Sequence, residues 1–307
     1  MKIYILFLIF VISDLAMAND GYSAIGAGGI VFKKSSNIEM LTEVLTISKM
    51  NVNVKYEFIN RVGEAEAKKT EKALIAFPMP EMSCGYWGKS NAPEDFSVVV
   101  DGKKVEYRKE VKAFKDGQDV TEQIKKAKLP ADCRELDKNK ELFKKAQKTK
   151  WAEDYNGTDP EDVLYKTRIT YYWEQEFPPN RIVKIEHSYA PVLGVDSGSP
   201  AWFFNMAPHW DRNPNLRWET DKNIKSLEFQ RSDITGGNSL NYILTTAKTW
   251  SLGGVSQFTL IIKRDAPETF VGSTLGPLKA IDKNTFEFRA SNFAPDRNLT
   301  VFFGKSK

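Results

Sequence analysis

Histidine and cysteine are scarce in this sequence, with two residues of each among 307. A zinc site needs three or four such ligands close together, so we expect no metal centre, and no motif indicates a cofactor. The sequence also lacks the Gly-x-Ser-x-Gly segment that carries the nucleophile of many hydrolases. Its glycine-rich segment 26–29 precedes a strand pattern instead of opening a helix, which excludes a phosphate-binding loop. These absences make an enzyme the less favoured class.

Neither a strong charge excess nor a long apolar run occurs in the body of the chain. The net charge is only +4, which is too small to indicate a nucleic-acid partner. The one marked apolar run, Ile3–Ser13, follows Lys2 and precedes Ala16-Met17-Ala18. These are the three parts of a secretory signal peptide, and the run is shorter than the roughly 18 residues that span a bilayer. We therefore predict that residues 1–18 are removed, that no transmembrane anchor remains, and that the mature chain is periplasmic or secreted.

The two cysteines, Cys84 and Cys133, are expected to form a disulfide bond, as pairs of thiols in exported chains commonly do. Closing a loop of about fifty residues would stabilise the fold by roughly 3–4 kcal/mol. The alternative is a reactive thiol at Cys133, which is predicted in the first turn of a helix, where the thiolate is favoured.

Strand patterns dominate the chain. In Val52–Asn60 apolar and polar residues alternate, which is typical of a half-buried strand. Strand patterns over Phe96–Val100 and Lys103–Tyr107 flank Asp101-Gly102, a pair that favours a two-residue hairpin turn. Val163–Trp173 and Arg181–Tyr189 are predicted to pair as a longer hairpin. We predict a mainly β fold with two antiparallel β-sandwich-like units, 19–115 and 160–307, and the sequence leaves open whether they share a core.

The segment between these units, residues 116–150, is lysine-rich and predicted to be helical. Asp119 with Glu122, and Asp132 with Glu135, have the spacing of capping boxes, which predicts helices over about 120–129 and 133–149. Lysines that alternate with acids on an amphipathic helix usually form its solvated face. The alternative is a surface that binds an anionic ligand or a membrane.

Four segments of the mature chain form a recognisable series: Ala76-Phe77-Pro78-Met79-Pro80, His187-Ser188-Tyr189-Ala190-Pro191, Tyr242–Trp250 and Asn292-Phe293-Ala294-Pro295. In this order they resemble an uncharacterised bacterial family of exported proteins, domain of unknown function 4424. The resemblance covers nearly the whole mature chain and implies an exported protein of a Gram-negative bacterium, but it supplies no activity. A fainter similarity, over residues 38–125, is to the vault/inter-alpha-trypsin-type sandwich domain, and it bears on fold alone.

Candidate catalytic residues fall in two places. Glu174 and Glu176 lie two apart near a strand end, so both side chains share one face and could act on a glycoside. His209 and Asp211 flank a tryptophan in an aromatic loop and could form an acid–base pair. His187 lies on the same side of its strand as Val183, Ile185 and Tyr189, so it faces the interior and we expect it to be structural.

A candidate binding site is formed by the aromatic residues of the loop 201–218. Such loops can stack on sugars or contact a partner protein, although they can also cover a core. The residues concerned are Trp202, Phe203, Trp210 and Trp218.

The favoured function is a non-enzymatic binding or interaction module of the bacterial envelope, with an unknown envelope protein or glycan as its partner. One alternative is a hydrolase acting on an envelope or environmental polymer. The other is a structural component of an envelope assembly that docks through the helical segment.

Overall fold

The structure, a computed structural model, describes the chain from residue 21 to residue 306 with gaps. The described residues are 21–26, 29–63, 69–84, 95–154, 161–196, 219–220 and 234–306. The predicted signal peptide, 1–18, lies outside them. Within them the chain is mainly β with few helices, which confirms the predicted fold class. No helix among the described residues is long and apolar enough to cross a membrane.

The described elements follow one another in three groups. The first group is β1 (Gly21–Gly26), β2 (Gly29–Phe32), β3 (Ile38–Ile47), β4 (Val52–Asn60), β5 (Glu71–Pro78), β6 (Ser97–Val100), β7 (Lys103–Lys104), β8 (Arg108–Lys115) and β9 (Gln118–Asp119). The second is α1 (Thr121–Lys126), α2 (Arg134–Asp137), α3 (Lys140–Lys148), β10 (Ala152–Asp154) and β11 (Glu161–Val163). The third is β12 (Lys166–Phe177), β13 (Ile182–Tyr189), β14 (Gly194–Asp196), β15 (Glu219–Thr220), β16 (Ile234–Tyr242), a 3-10 helix (Thr245–Thr249), β17 (Val255–Lys263), β18 (Phe270–Ser273), β19 (Lys279–Ala280), β20 (Thr285–Phe293) and β21 (Leu299–Ser306).

Three sheets contain most of these strands. The large sheet has eight strands in the order β19-β20-β17-β3-β4-β13-β6-β7. The second sheet has the order β2-β1-β5-β12-β8-β9, and the third has the order β14-β16-β21-β18-β15. Neighbouring strands are antiparallel, except that β3 and β17 are parallel. β10 and β11 form a separate pair.

One hydrophobic core contains residues from all three sheets. It includes Phe58 and Leu260 of the large sheet, Phe77 and Trp173 of the second, and Phe303 of the third. The large sheet itself combines strands from both predicted units, since β3 lies between β4 and β17. The two units therefore share sheets and a core. We call the three sheets together the sheet body.

The predicted hairpin of Val163–Trp173 with Arg181–Tyr189 is wrong, because β12 belongs to the second sheet and β13 to the large sheet. Pro178 and Pro179 lack the amide N–H that would continue a ladder. Asn180 then adopts a positive φ of 53°, which turns the chain towards the other sheet. A strand–turn–strand pattern in sequence cannot distinguish such a crossing from a hairpin.

The predicted helix 133–149 is two helices, α2 and α3. Asn139 separates them, because its side-chain oxygen accepts hydrogen bonds from the backbone N–H groups of Glu141 at 3.0 Å and Leu142 at 3.2 Å. This is the N-cap arrangement that begins a new helix. The two predicted capping boxes do not form. Asp119 and Asp132 instead accept hydrogen bonds from the backbone N–H groups two residues further on, those of Thr121 at 3.0 Å and Arg134 at 3.2 Å.

The helices pack with β10 and β11 into a unit that we call the helical lobe, residues 120–154 and 161–163. A second, smaller core lies here and includes Ile124, Leu136 and Phe143. Cys133 in this lobe is joined to Cys84 by a disulfide bond, with 5.8 Å between the Cα atoms. The predicted disulfide is confirmed, and the alternative of a reactive thiol at Cys133 is therefore wrong.

Candidate functional site

The candidate site lies where a long strand extends beyond its neighbour. β12 has twelve residues, and β8 pairs with those from Lys166 to Tyr172. The remaining residues, Trp173–Phe177, pair with β5 on one side and with no described strand on the other. Within the described part of the chain, the edge of the second sheet is therefore open at this point.

A cleft of about 360 Å³ lies at this open edge, and we call it the β12 cleft. Its volume falls within the range of small-molecule sites, which begins at about 300 Å³. The lining comes from β5, from β12, and from the connection that leads from β7 in the large sheet to β8 in the second sheet. The lining residues are Leu74, Glu106, Tyr107, Arg108, Tyr172, Trp173 and Glu174.

Tyr107 is held in place by neighbouring aromatic rings. Its ring meets those of Phe96 and Tyr171 edge to face, with 5.2 Å between centroids in each case. Phe96 and Tyr171 are themselves stacked at 4.1 Å. The Tyr107 hydroxyl donates a hydrogen bond of 2.6 Å to the carbonyl of Phe96. Because such ring pairs each contribute about 0.5–1.5 kcal/mol beyond area burial, this wall of the cleft is preorganised.

Tyr171, which stacks on Phe96 in this wall, is buried and only 5% exposed. Burial raises the pKa of the Tyr171 hydroxyl to about 12, and the neighbouring Tyr107 adds to the increase. The phenol therefore stays neutral at all physiological pH values. The wall is an apolar surface beside a charged rim.

The rim of the cleft carries charges of both signs. Glu106, Arg108 and Glu174 are all exposed. Beyond the lining, Glu176 forms an ion pair of 2.8 Å with Lys72 on the neighbouring strand. The hydrogen bond that Lys72 donates to Glu176, and then the charge of Glu176, raise the pKa of Lys72 above its ordinary value. Glu176 is thus satisfied by a neighbour within the sheet.

Trp173 contributes a buried donor to the lining. Its side chain is only 4% exposed, and its indole N–H makes no hydrogen bond within the described residues. Buried polar groups in native proteins are nearly always hydrogen-bonded, so each exception calls for an explanation such as water or a ligand.

The residues that the sequence predicted as sites are only partly covered by the structure. Glu174 lines the β12 cleft, whereas Glu176 lies on the same face of β12 but outside the lining. The remaining predicted residues lie outside the described part of the chain. They are Trp202, Phe203, His209, Trp210, Asp211 and Trp218.

His187 is fully buried, in agreement with a structural role. Its ring lies 5.1 Å from Phe77, 5.2 Å from Trp173 and 5.4 Å from Phe96, measured between centroids. Among the described residues, no group of three or more histidine, cysteine or acidic side chains is arranged to hold a metal ion.

Sequence reasoning missed Glu106 and Arg108 as site residues. It assigned Lys103–Tyr107 to the second strand of the hairpin, whereas β7 ends at Lys104 and the chain then crosses between sheets. A signal was present, because four of the five residues in 106–110 are charged. Such a run does not fit the alternation of a half-buried strand.

A family model for DUF4424, a domain of unknown function, matches residues 18–302. This chain belongs to the DUF4424 family. The match includes the strands that form the β12 cleft and the whole helical lobe, and it confirms the resemblance found in the sequence. No curated protein matches this DUF4424 chain. The similarity of residues 38–125 to the vault/inter-alpha-trypsin-type domain stays a prediction.

Three solved structures that match this DUF4424 protein share distant similarity with it. A candidate nutrient binding protein from Legionella pneumophila is 13% identical with a TM-score of 0.42, and the match covers 88% of this chain and 68% of that one. Yeast LTA4 hydrolase in complex with bestatin is 8% identical with a TM-score of 0.31, covering 90% of this chain and 31% of that one. The native yeast enzyme is 9% identical with a TM-score of 0.28, covering 88% and 29%. We draw no functional conclusion from similarities this distant.

Proposed function

We propose that this DUF4424 chain is an exported bacterial protein that binds a ligand in the β12 cleft, as a non-enzymatic binding or interaction module of the cell envelope. The observation that carries the proposal is a cleft with a charged rim and an aromatic wall at an open strand edge. The disulfide supports a location outside the cytoplasm, because such bonds form and persist in oxidising compartments. We therefore place the mature chain in the periplasm or outside the cell.

The lining determines the chemistry of the ligand. The Arg108 guanidinium donates hydrogen bonds, whereas the carboxylates of Glu106 and Glu174 accept them. The Tyr107 ring supplies an apolar contact. A ligand that matches this surface carries donors, acceptors and an apolar face, as a segment of an envelope protein or a glycan does.

A second candidate function is a hydrolase acting on an envelope or environmental polymer. The observation that favours it is that two carboxylates, Glu106 and Glu174, line one cleft. Glycosidases place two such groups on either side of the bond that they break. Release of product from a chromogenic glycoside by the wild type, with loss of activity in Glu174→Gln, would favour this function.

The binding proposal is tested by thermal shift on the mature chain, residues 19–307, with its disulfide intact. The probes are free amino acids, short peptides and small saccharides. We expect at least one class to raise the unfolding midpoint of the wild type and to lose this effect in Arg108→Gln and Glu174→Gln. Both side chains are exposed, so both variants are expected to fold.

The matched controls are Arg289→Gln and Glu287→Gln, which change the same residue types on the outer face of the large sheet. They are expected to respond to the probes as the wild type does. A midpoint that no probe raises, or one raised equally in the Arg108→Gln variant, would contradict binding in the β12 cleft.

A further inference from the structure

We propose that the occupant of the β12 cleft is an extended polypeptide strand that pairs with the open edge of β12, in line with β8. The inference rests on the proposed function and names the class of ligand. Recognition would then use the backbone of Trp173–Phe177 as well as the side chains of the lining.

The first argument is the backbone edge of Trp173–Phe177, which no described strand covers, although the Glu176 carbonyl accepts a hydrogen bond of 2.8 Å from the Gln175 side chain. An open strand edge presents N–H and C=O groups to any extended chain, and natural sheets shield such edges with short strands, lysines and prolines. The large sheet follows this rule, since its outer strands β7 and β19 have two residues each and contain Lys103, Lys104 and Lys279. The edge at Trp173–Phe177 contains no lysine and no proline, and Pro178 ends it. It is therefore suited to strand addition.

The second argument fixes direction and length. All strand pairs within the second sheet are antiparallel. An added antiparallel strand would run from a position opposite Phe177 to a position opposite Trp173. It would end where β8 begins, at Arg108, because Arg108 lies opposite Tyr172. The paired segment is thus about five residues long, which is a usual strand length.

The third argument gives the side-chain pattern of the added strand. Side chains alternate between the faces of a sheet, so positions opposite Trp173 and Phe177 face the core and positions opposite Glu174 and Glu176 face outward. Trp173 and Phe177 are buried in the core, and Val105 and Tyr107 pack partly against it. Inward positions of the added strand therefore require apolar side chains.

The position of the added strand opposite Glu174 faces outward and favours a basic side chain. Glu176 has Lys72 as its ion-pair partner at 2.8 Å, whereas Glu174 lies opposite Leu74 on β5 and makes only a weaker electrostatic interaction with Lys72. A lysine or arginine directly across from Glu174 would form a favourable cross-strand pair, and an acid there would be repelled. The structure thus favours an alternating apolar strand with a basic residue next to its last paired position.

The test uses fluorescence anisotropy with an acetylated and amidated peptide, Val-Thr-Val-Lys-Val, placing its lysine opposite Glu174. We expect the wild-type mature chain to bind it at least about fivefold more tightly than Val-Thr-Val-Glu-Val. The variant Glu174→Lys is expected to reverse this preference. The control Glu57→Lys, on a strand with neighbours on both sides, is expected to keep it.

Backbone pairing has its own signature. In an antiparallel edge pair, alternate residues of the added strand direct their N–H groups to the partner. N-methylation of one alternate set of amides should therefore abolish binding, and N-methylation of the other set should leave it nearly unchanged. Equal effects of the two methylated peptides would overturn strand addition. So would an unchanged charge preference in Glu174→Lys.

Failure of this inference is distinguishable from failure of the proposed function. If the lysine peptide does not bind, but another probe stabilises the wild type and not Arg108→Gln, only the peptide class is wrong. If substitution of Arg108 or Glu174 weakens the binding of neither the peptide nor any other probe, both proposals are wrong.

Discussion

The sheet body and the helical lobe are stabilised in different ways. Among the described residues, the core of the body contains 37 buried residues, whereas the second core contains 12, of which Cys84, Ala113 and Tyr165 lie outside the lobe. A core as small as this supports little stability by itself. The lobe is held to the body by this shared packing, by hydrogen bonds such as that from the Cys133 N–H to Thr167, and by the covalent bond from Cys133 to Cys84. The comparison shows that burial suffices for one region, while the other also depends on a crosslink.

The largest effect is expected from Trp250→Ala in the body. Trp250 is fully buried, with its ring 4.5 Å from Phe58 and 6.3 Å from Phe177 between centroids. Removing such a side chain costs about 3–5 kcal/mol, because a cavity remains. Urea unfolding followed by circular dichroism measures the loss. The matched variant in the lobe is Trp151→Ala, which is only partly buried and is expected to cost clearly less. Equal losses of unfolding free energy in the two variants would contradict the difference between the body and the lobe.

The next effect is expected from the double variant Cys84→Ala with Cys133→Ala. Opening a loop with a sequence separation of 49 residues should lower the free energy of unfolding. We expect a loss of roughly 3–4 kcal/mol by loop-closure entropy. Hydrogen exchange should then show loss of protection in α1–α3 before the strands of the large sheet. Unchanged protection of these helices would mean that the small core holds the lobe unaided.

The smallest effect is expected from Asn139→Ala, which removes the N-cap of α3. A lost cap costs about 1 kcal/mol. Hydrogen exchange at Glu141 and Leu142 should become faster while exchange in the large sheet stays the same. The control Asn139→Asp keeps an accepting oxygen and should retain protection. Equal exchange in the two variants would show that the cap does not stabilise the lobe.

Local features of the fold could be predicted from the sequence. The alternation in β4 follows from residues within one strand, since Val54, Tyr56 and Phe58 are buried and those between are more exposed. The hairpin turn at Asp101-Gly102 forms with φ angles of 46° and 79°, as the residue types require. Each of these features depends on neighbours in sequence, whose geometry is set by the backbone itself.

Long-range features could not be predicted in the same way. Nothing within β3 indicates that β17 will be its neighbour, because a strand edge accepts any partner of suitable pattern. The β12 cleft likewise depends on the pairing of strands that are distant in sequence. Glu174 could be predicted as a site residue from its spacing to Glu176. Arg108, in contrast, reaches the cleft only because β8 pairs with β12 and because this pairing ends with Arg108 opposite Tyr172. A site built at a strand end is determined by register, which a single sequence does not show.

The parallel pairing of β3 with β17 has a consequence for the order of folding. Met40 lies opposite Val255, so one side of β3 has to wait for a segment synthesised more than two hundred residues later. Contacts of such separation slow folding, since the intervening chain must be ordered first. Until β17 has been synthesised, β3 and β4 form a hairpin in which the edge of β3 that later pairs with β17 is exposed. Such an edge can pair with strands of other chains. A nascent DUF4424 chain therefore needs protection from self-association until its last quarter has been made.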